Sequence, residues 1–209
     1  MTGGKIVKLP HGHEPDGEAS EATDGRRLRS ERSREQIITA MLDLIREGDV
    51  DPAAAAVAER AGVGLRTVFR HFDDMDTLHR EMVAHIEAKI LPTIMTPFVS
   101  RDWRGRLEEI VKRRAALYHE IMPYRIAGNL RRFNSIYLMD NYRRNTLMER
   151  TGLKAVLPAA IHEDRQLFAA LELAVSFNAW RRLRQDQDLS PEEAEAVMAL
   201  TVRQLVAGK

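Results

Sequence analysis

Residues 52–72, PAAAAVAERAGVGLRTVFRHF, decide the fold. They read as two short helices joined by a glycine-bearing turn. Asp51 and Pro52 make a cap and first-position pair, since proline tolerates a site where its missing N–H is not needed. An alanine-rich helix follows to Arg60, Ala61-Gly62-Val63-Gly64 makes a tight connection, and Leu65 to His71 form a second helix. In that helix Val68 and Phe72, four apart, point inward together. Leu65, Arg66 and Arg70 then project outward and leave a basic face. Such a helix-turn-helix fits its second helix into the major groove, where amino-terminal side chains reach base edges. Arg66 suits guanine O6 and N7 and Leu65 a thymine methyl, while Arg70, His71 and the cluster Arg26 to Arg34 suit phosphate. A plain helical corner with solvated arginines has the same spacing, so both readings stand on spacing alone.

Working outward, apolar residues recur at three and four, not at two. Ser33 to Gln36 has capping-box spacing, and Ile37, Ile38, Met41, Leu42 and Ile45 mark an apolar face that Gly48 ends. Asp73 or Asp74 caps a long helix carrying Leu78, Met82, Ile86 and Ile90, ended by Pro92. Trp103 to Ile121 form another, closed or bent by Pro123. Tyr124–Phe133, Ser135 to about Arg150, and a short piece from Leu153 to Ile161 follow. Leu167 to Leu183 has two apolar rows, one of Leu167, Leu171, Ala174 and Asn178 and one of Leu173, Phe177 and Trp180, so it asks for cover on both sides. Ser190-Pro191-Glu192-Glu193 starts the last helix with a cap, a proline and a capping-box glutamate. The expected fold is all-α, with residues 30–80 as a helix-turn-helix domain and 81–209 as a larger helical domain.

Composition narrows the partners. The 209 residues hold 32 Lys+Arg against 31 Asp+Glu, and 44% are apolar, an ordinary balance for a globular chain. Residues 1–25 carry a net −3 and residues 26–34 a net +4, and the Gly/Pro/Glu-rich start predicts a mobile tail over 1–29. There is no cysteine, which excludes a disulfide framework and a cysteine nucleophile. No apolar run reaches the roughly 18 residues of a membrane span, and no export signal is visible, so a cytoplasmic protein is expected.

Val57-Ala58-Glu59-Arg60-Ala61-Gly62-Val63 and Thr67-Val68-Phe69-Arg70-His71-Phe72, with Leu78 six residues on, resemble the amino-terminal domain of the TetR family of transcriptional regulators. The resemblance covers about a quarter of the chain. It implies a three-helix DNA-binding head, a fourth helix leading to a helical body, and a homodimer made by the last two long helices, about 164–184 and 190–206. It also implies a pseudo-palindromic double-stranded operator and an unidentified small-molecule effector whose binding releases it, with repression as the commoner mode. The candidate DNA-binding set is Leu65, Arg66, Thr67, Phe69, Arg70 and His71. Four features depart from the family pattern: Phe69 stands for a tyrosine, Met75 for a lysine, Gly64 for a Ser or Thr cap, and the second helix opens on alanines. A helical dimer that binds DNA poorly is the rival reading, and an all-α ligand-binding or catalytic protein another.

Met82, Met95, Met122, Met139 and Met148 are spread over helices that would line an effector pocket, although methionine at helical spacing is usually core filling. Tyr118, Arg125, Asn129, Tyr137 and Asn178 are polar candidates there, most of them expected to face solvent or partner helices. Glu81 and His85, four apart, read as an ion pair rather than an acid/base dyad. His162-Glu163-Asp164 reads as a solvated junction, and His11 and His13 lie in the tail. No His-Glu-x-x-His pair, phosphate loop or Gly-x-Ser-x-Gly elbow is present. Neither catalysis, a cofactor nor a metal is called for.

Overall fold

The computed structural model describes residues 17–209, which form ten α-helices and one π-helical turn, with no strand among them. The first helix, α1, spans Gly17–Arg46 and begins well ahead of Ser33. The tail expected over 1–29 therefore lies outside the described residues for 1–16 and is helical from Gly17. The reason is chemical: residues 17–32 are rich in Glu, Ala and Arg, which are strong helix formers but offer no apolar stripe. Once the packed turns around Ile37 and Met41 are nucleated, extending the helix outward costs little.

Helices α2 (Ala54–Arg60), α3 (Leu65–His71) and the first turns of α4 (Met75–Ile94) close against α1. Their shared core holds Ile37, Met41, Val57, Val68, Phe72 and Leu78, with Ala127 of the body seated in it. Gly62 sits at φ +66 in the α2–α3 turn, a left-handed conformation that glycine reaches without a steric cost. The expected Asp51-Pro52 start of α2 is corrected: the cap position is Ala53, with no side-chain cap bond. The Asp51 carboxylate instead accepts from Arg131 of the body. Asp74 does cap α4, accepting from the Thr77 N–H at 2.7 Å.

The body begins at α5 (Trp103–Arg131) and continues through α6 (Ile136–Val156), α7 (Ala159–His162), α8 (Arg165–Ala174), α9 (Phe177–Arg181), the π turn Arg182–Asp186, and α10 (Pro191–Leu205). Neither proline breaks its helix: α4 passes Pro92, and α5 passes Pro123 so that Trp103–Ile121 and Tyr124–Phe133 merge. At Pro123 the missing N–H is tolerated because neighbouring turns are held by packing, as Ile121 and Ala127 are, whereas Pro92 lies in an exposed last turn that ends at Ile94. The stretch 164–184, expected as one two-faced helix, is interrupted at Val175. Ser176 caps a fresh helix by accepting from the Ala179 N–H at 3.1 Å, which resets the helical phase. Leu173 is consequently exposed, while Phe177 and Trp180 turn into the core. The capping box of α10 forms as expected, Ser190 and Glu193 bonding reciprocally at 3.1 and 2.7 Å.

Candidate functional site

Helix α3 presents two faces. Val68 and Phe72 are fully buried, and on the opposite side Leu65, Arg66, Phe69 and Arg70 are exposed. Thr67 and His71 are half-buried. Arg66 and Arg70 form no ion pair among the described residues, so their guanidinium groups face water. Burial, with Arg70 and Arg34 beside it, lowers the His71 pKa, and the ring is neutral at neutral pH. A phosphate contact by cationic histidine is thereby disfavoured, and Arg70 is the better cation on this face. Leu65 and Phe69 are each 46% exposed and add an apolar edge to this basic face.

Arg34, counted from sequence with the phosphate-facing cluster, is engaged internally. Its guanidinium donates to the His71 carbonyl at 2.8 Å, pairs with Glu81 at 2.9 Å and lies 4.6 Å over the Phe72 ring. It ties α1 to the carboxyl end of α3 and to α4. Glu81 is thus occupied, and His85 pairs with Glu35 of α1 at 3.3 Å, so the expected Glu81–His85 pair does not form. Arg26, Arg29 and Arg32 remain exposed on α1. Met75, where the family pattern has lysine, packs on the head core and adds no cation.

Head and body meet through polar contacts that flank the buried Ala127. Arg46 donates to the Tyr124 hydroxyl at 2.9 Å, Arg131 binds Asp51, and the Ser135 hydroxyl donates to Asp76 at 2.8 Å. His79 lies wholly buried near this junction, with Nδ1 donating to the Met75 carbonyl at 2.7 Å and Nε2 without a partner. Burial lowers its pKa.

In the body, α4, α5 and α6 enclose a cavity of about 410 Å³. Met82, Ile86, Ile110, Leu117, Ile121 and Leu138 make much of its wall, and half-exposed Ile94, Phe98 and Met148 reach its mouth. Of the five methionines singled out from sequence, Met82 and Met148 line it; of the polar candidates, Tyr118, Arg125 and Asn129 line it and Tyr137 and Asn178 do not. Sequence reading missed Glu87, Asn141, Asn145 and Glu149. Their spacing on helices resembles any solvated face, and only the packing of α4 and α6 on α5 turns them inward. Gly128 and Gly152 were legible signals, because glycine inside a helical pattern calls for a packing or functional reason.

The break at Val175 feeds this site. Its free carbonyl accepts from Arg114 at 3.1 Å and from the buried Tyr118 hydroxyl at 3.3 Å, and burial pushes the Tyr118 phenol pKa well up. Arg125 pairs with Glu149 at 2.5 Å and lies 4.4 Å over the Phe177 ring. No cluster of metal-ligating side chains occurs among the described residues.

Neither a family model nor a curated protein matches the chain. Among solved structures, the crystal structure of a transcriptional regulator from Rhodococcus sp. Rha1 matches at 21% identity and a TM-score of 0.62, covering 84% of this chain and 96% of that one. The two share a fold. The likeness extends over most of both chains, so the all-α arrangement is one already seen in a solved structure. At this level of identity it carries the architecture and not the activity. No helix among the described residues is long and apolar enough to cross a membrane.

Proposed function

We propose that the chain is a DNA-binding transcriptional regulator of the TetR type, a homodimer in the cytoplasm that reads a pseudo-palindromic operator and is released by a small molecule. The observation that carries this is the outward face of α3. Arg66 and Arg70 stand free on a helix whose other side is locked by Val68, Phe72 and the Arg34 clamp. Arg66 reads bases, Arg70 and the exposed arginines of α1 contact phosphate, and the apolar Leu65 and Phe69 lie against thymine methyl groups or sugar. The uncovered Leu173 of α8 with Val197 and Leu200 of α10 supports a dimer through these helices, replacing the continuous 164–184 helix expected from sequence. A ligand in the cavity acts by preferring the conformation in which the two heads no longer match successive grooves. Repression is the default mode.

The test is DNA binding against salt. Arg66→Ala should cost about 1–3 kcal/mol on the preferred sequence and relax its specificity. Arg70→Ala should weaken all sequences about equally and reduce the salt slope by about one. A second reading, a helical dimer with feeble DNA binding, is favoured by Met75, which packs half-buried against the head core and puts no cation at the start of α4. Absence of any preferred sequence in a genomic selection would select it.

A further inference from the structure

The wall of the cavity is apolar over most of its area, and its charged side chains already have protein partners. Arg113 binds Glu109 at 2.9 Å and the Pro97 carbonyl at 2.6 Å. Arg125 binds Glu149, and Glu87 accepts from Arg144 at 2.5 Å and from Asn141 at 2.8 Å. Arg114 has no carboxylate, but it is held by the carbonyls of Val175 and Glu149. A charged ligand finds no charged side chain here without protein bonds already made, and has to draw its counter-charge from a group that is held elsewhere, whereas an uncharged one disturbs none of these contacts.

The space itself is built. Gly128 lies inside α5 and Gly152 inside α6, both on the cavity wall, and a Cβ added at either meets nothing within 4 Å. Neither has a positive φ, so the backbone does not need glycine there. Glycine weakens a helix interior relative to alanine, and at these two lining positions it leaves room, Gly128 in the half-buried wall and Gly152 at an exposed edge. The mouth, rimmed by Ile94, Phe98 and Met148 with Met95 and Val99 beside it, is itself exposed apolar surface on which a hydrophobic molecule would first settle.

We propose that this cavity takes an uncharged, predominantly apolar small molecule, and discriminates against carboxylate and ammonium ligands of the same hydrocarbon skeleton. As a ligand class this stands on the cavity alone; as the class of the effector it rests on the regulatory reading above.

The neutral fluorophore N-phenyl-1-naphthylamine is bound to the full-length protein at neutral pH. It is then displaced with octan-1-ol, octanoate or octyltrimethylammonium below their micellar concentrations. Octanol should displace it at a concentration lower by about tenfold or more than either ion, the penalty of unpairing a buried charge. Gly128→Leu on α5 and Gly152→Leu on α6, each placing a side chain at the cavity lining, should each abolish probe binding while the helical circular-dichroism signal and melting are retained. If one of the two fails to fold, the other decides. Octanoate or octyltrimethylammonium competing as well as octanol, no probe binding by the wild type, or undiminished binding in a folded glycine variant would each overturn the proposal. A separate titration of octanol into the protein–DNA complex tells the two readings apart. Displacement of the probe with no DNA bound at any salt sinks the regulatory reading and leaves the ligand class intact, and preference for an ion does the reverse.

Discussion

Replacing Arg34 by alanine separates a structural clamp from a phosphate contact. Three interactions disappear together: the bond to the His71 carbonyl at 2.8 Å, the Glu81 pair at 2.9 Å and the contact over Phe72 at 4.6 Å. The hydrogen bond is made by a charged donor in a part-buried place, worth about 1.5 kcal/mol at the low end of its range because water reaches the abandoned carbonyl. Both members of the ion pair are over a third exposed, so it adds only a few tenths, about 0.2–0.5 kcal/mol. The cation over the ring adds about 0.5 kcal/mol at such an exposed site. The sum is about 2 kcal/mol, a fall in melting temperature of about 4–8 °C for a chain of this length. Glu81→Gln alone should cost less than about 0.5 kcal/mol. Thermal and urea denaturation read the stability, and the slope of DNA affinity against salt reads the alternative role. The clamp predicts lower stability with an unchanged slope. A variant as stable as the wild type to within about 0.5 kcal/mol, with a salt slope reduced by about 0.9, would mean that Arg34 faces phosphate.

Three further outcomes follow from the same geometry. Gly128→Ala should raise stability by about 0.5–1 kcal/mol, because its helical φ suits alanine and the Cβ meets open space; a lower melting temperature would contradict that reading. Glu109 accepts from the Ser100 and Val99 N–H groups and from Arg113, and these hold its pKa at about 2 instead of 4.5. A depressed carboxylate stabilises above its unfolded pKa and loses that contribution as pH falls from about 4.5 to about 2, so Glu109→Gln should flatten stability across that window in pH-dependent melting. His79, buried with its pKa lowered from 6.5, stabilises the fold while neutral and loses that contribution as pH falls below 6.5; His79→Leu should remove this loss, and an unchanged acid slope would show that the ring is hydrated.

Much of the head is legible from spacing alone. The inward pair Val68 and Phe72, the Asp74 cap and the bounds of α3 depend on interactions within one or two turns, and local sequence specifies those. Length and breakage of helices are less local. Residues 17–32 lack an apolar stripe yet continue α1; Pro123 lies inside α5 because the packed Ile121 and Ala127 hold the turns around it, and Pro92 lies in the exposed last turn of α4, which ends two residues on at Ile94. Val175 ends a helix that its hydrophobic pattern continues, because Ser176 caps a new start and Arg114 and Tyr118 capture the carbonyl that is released.

By itself the sequence determined an all-helical chain with a basic two-helix corner, since helical period, caps and turn glycines are properties of neighbours along the backbone. Tertiary structure alone decided which arginine is a clamp and which stands free, because Arg34 and Arg66 differ only in what α3 and α4 bring beside them. It also decided the cavity. Glu87, Arg125, Arg144 and Glu149 are ordinary surface charges in one dimension, and they pair as Glu87–Arg144 and Arg125–Glu149 beside an apolar space only when α4, α5 and α6 pack together.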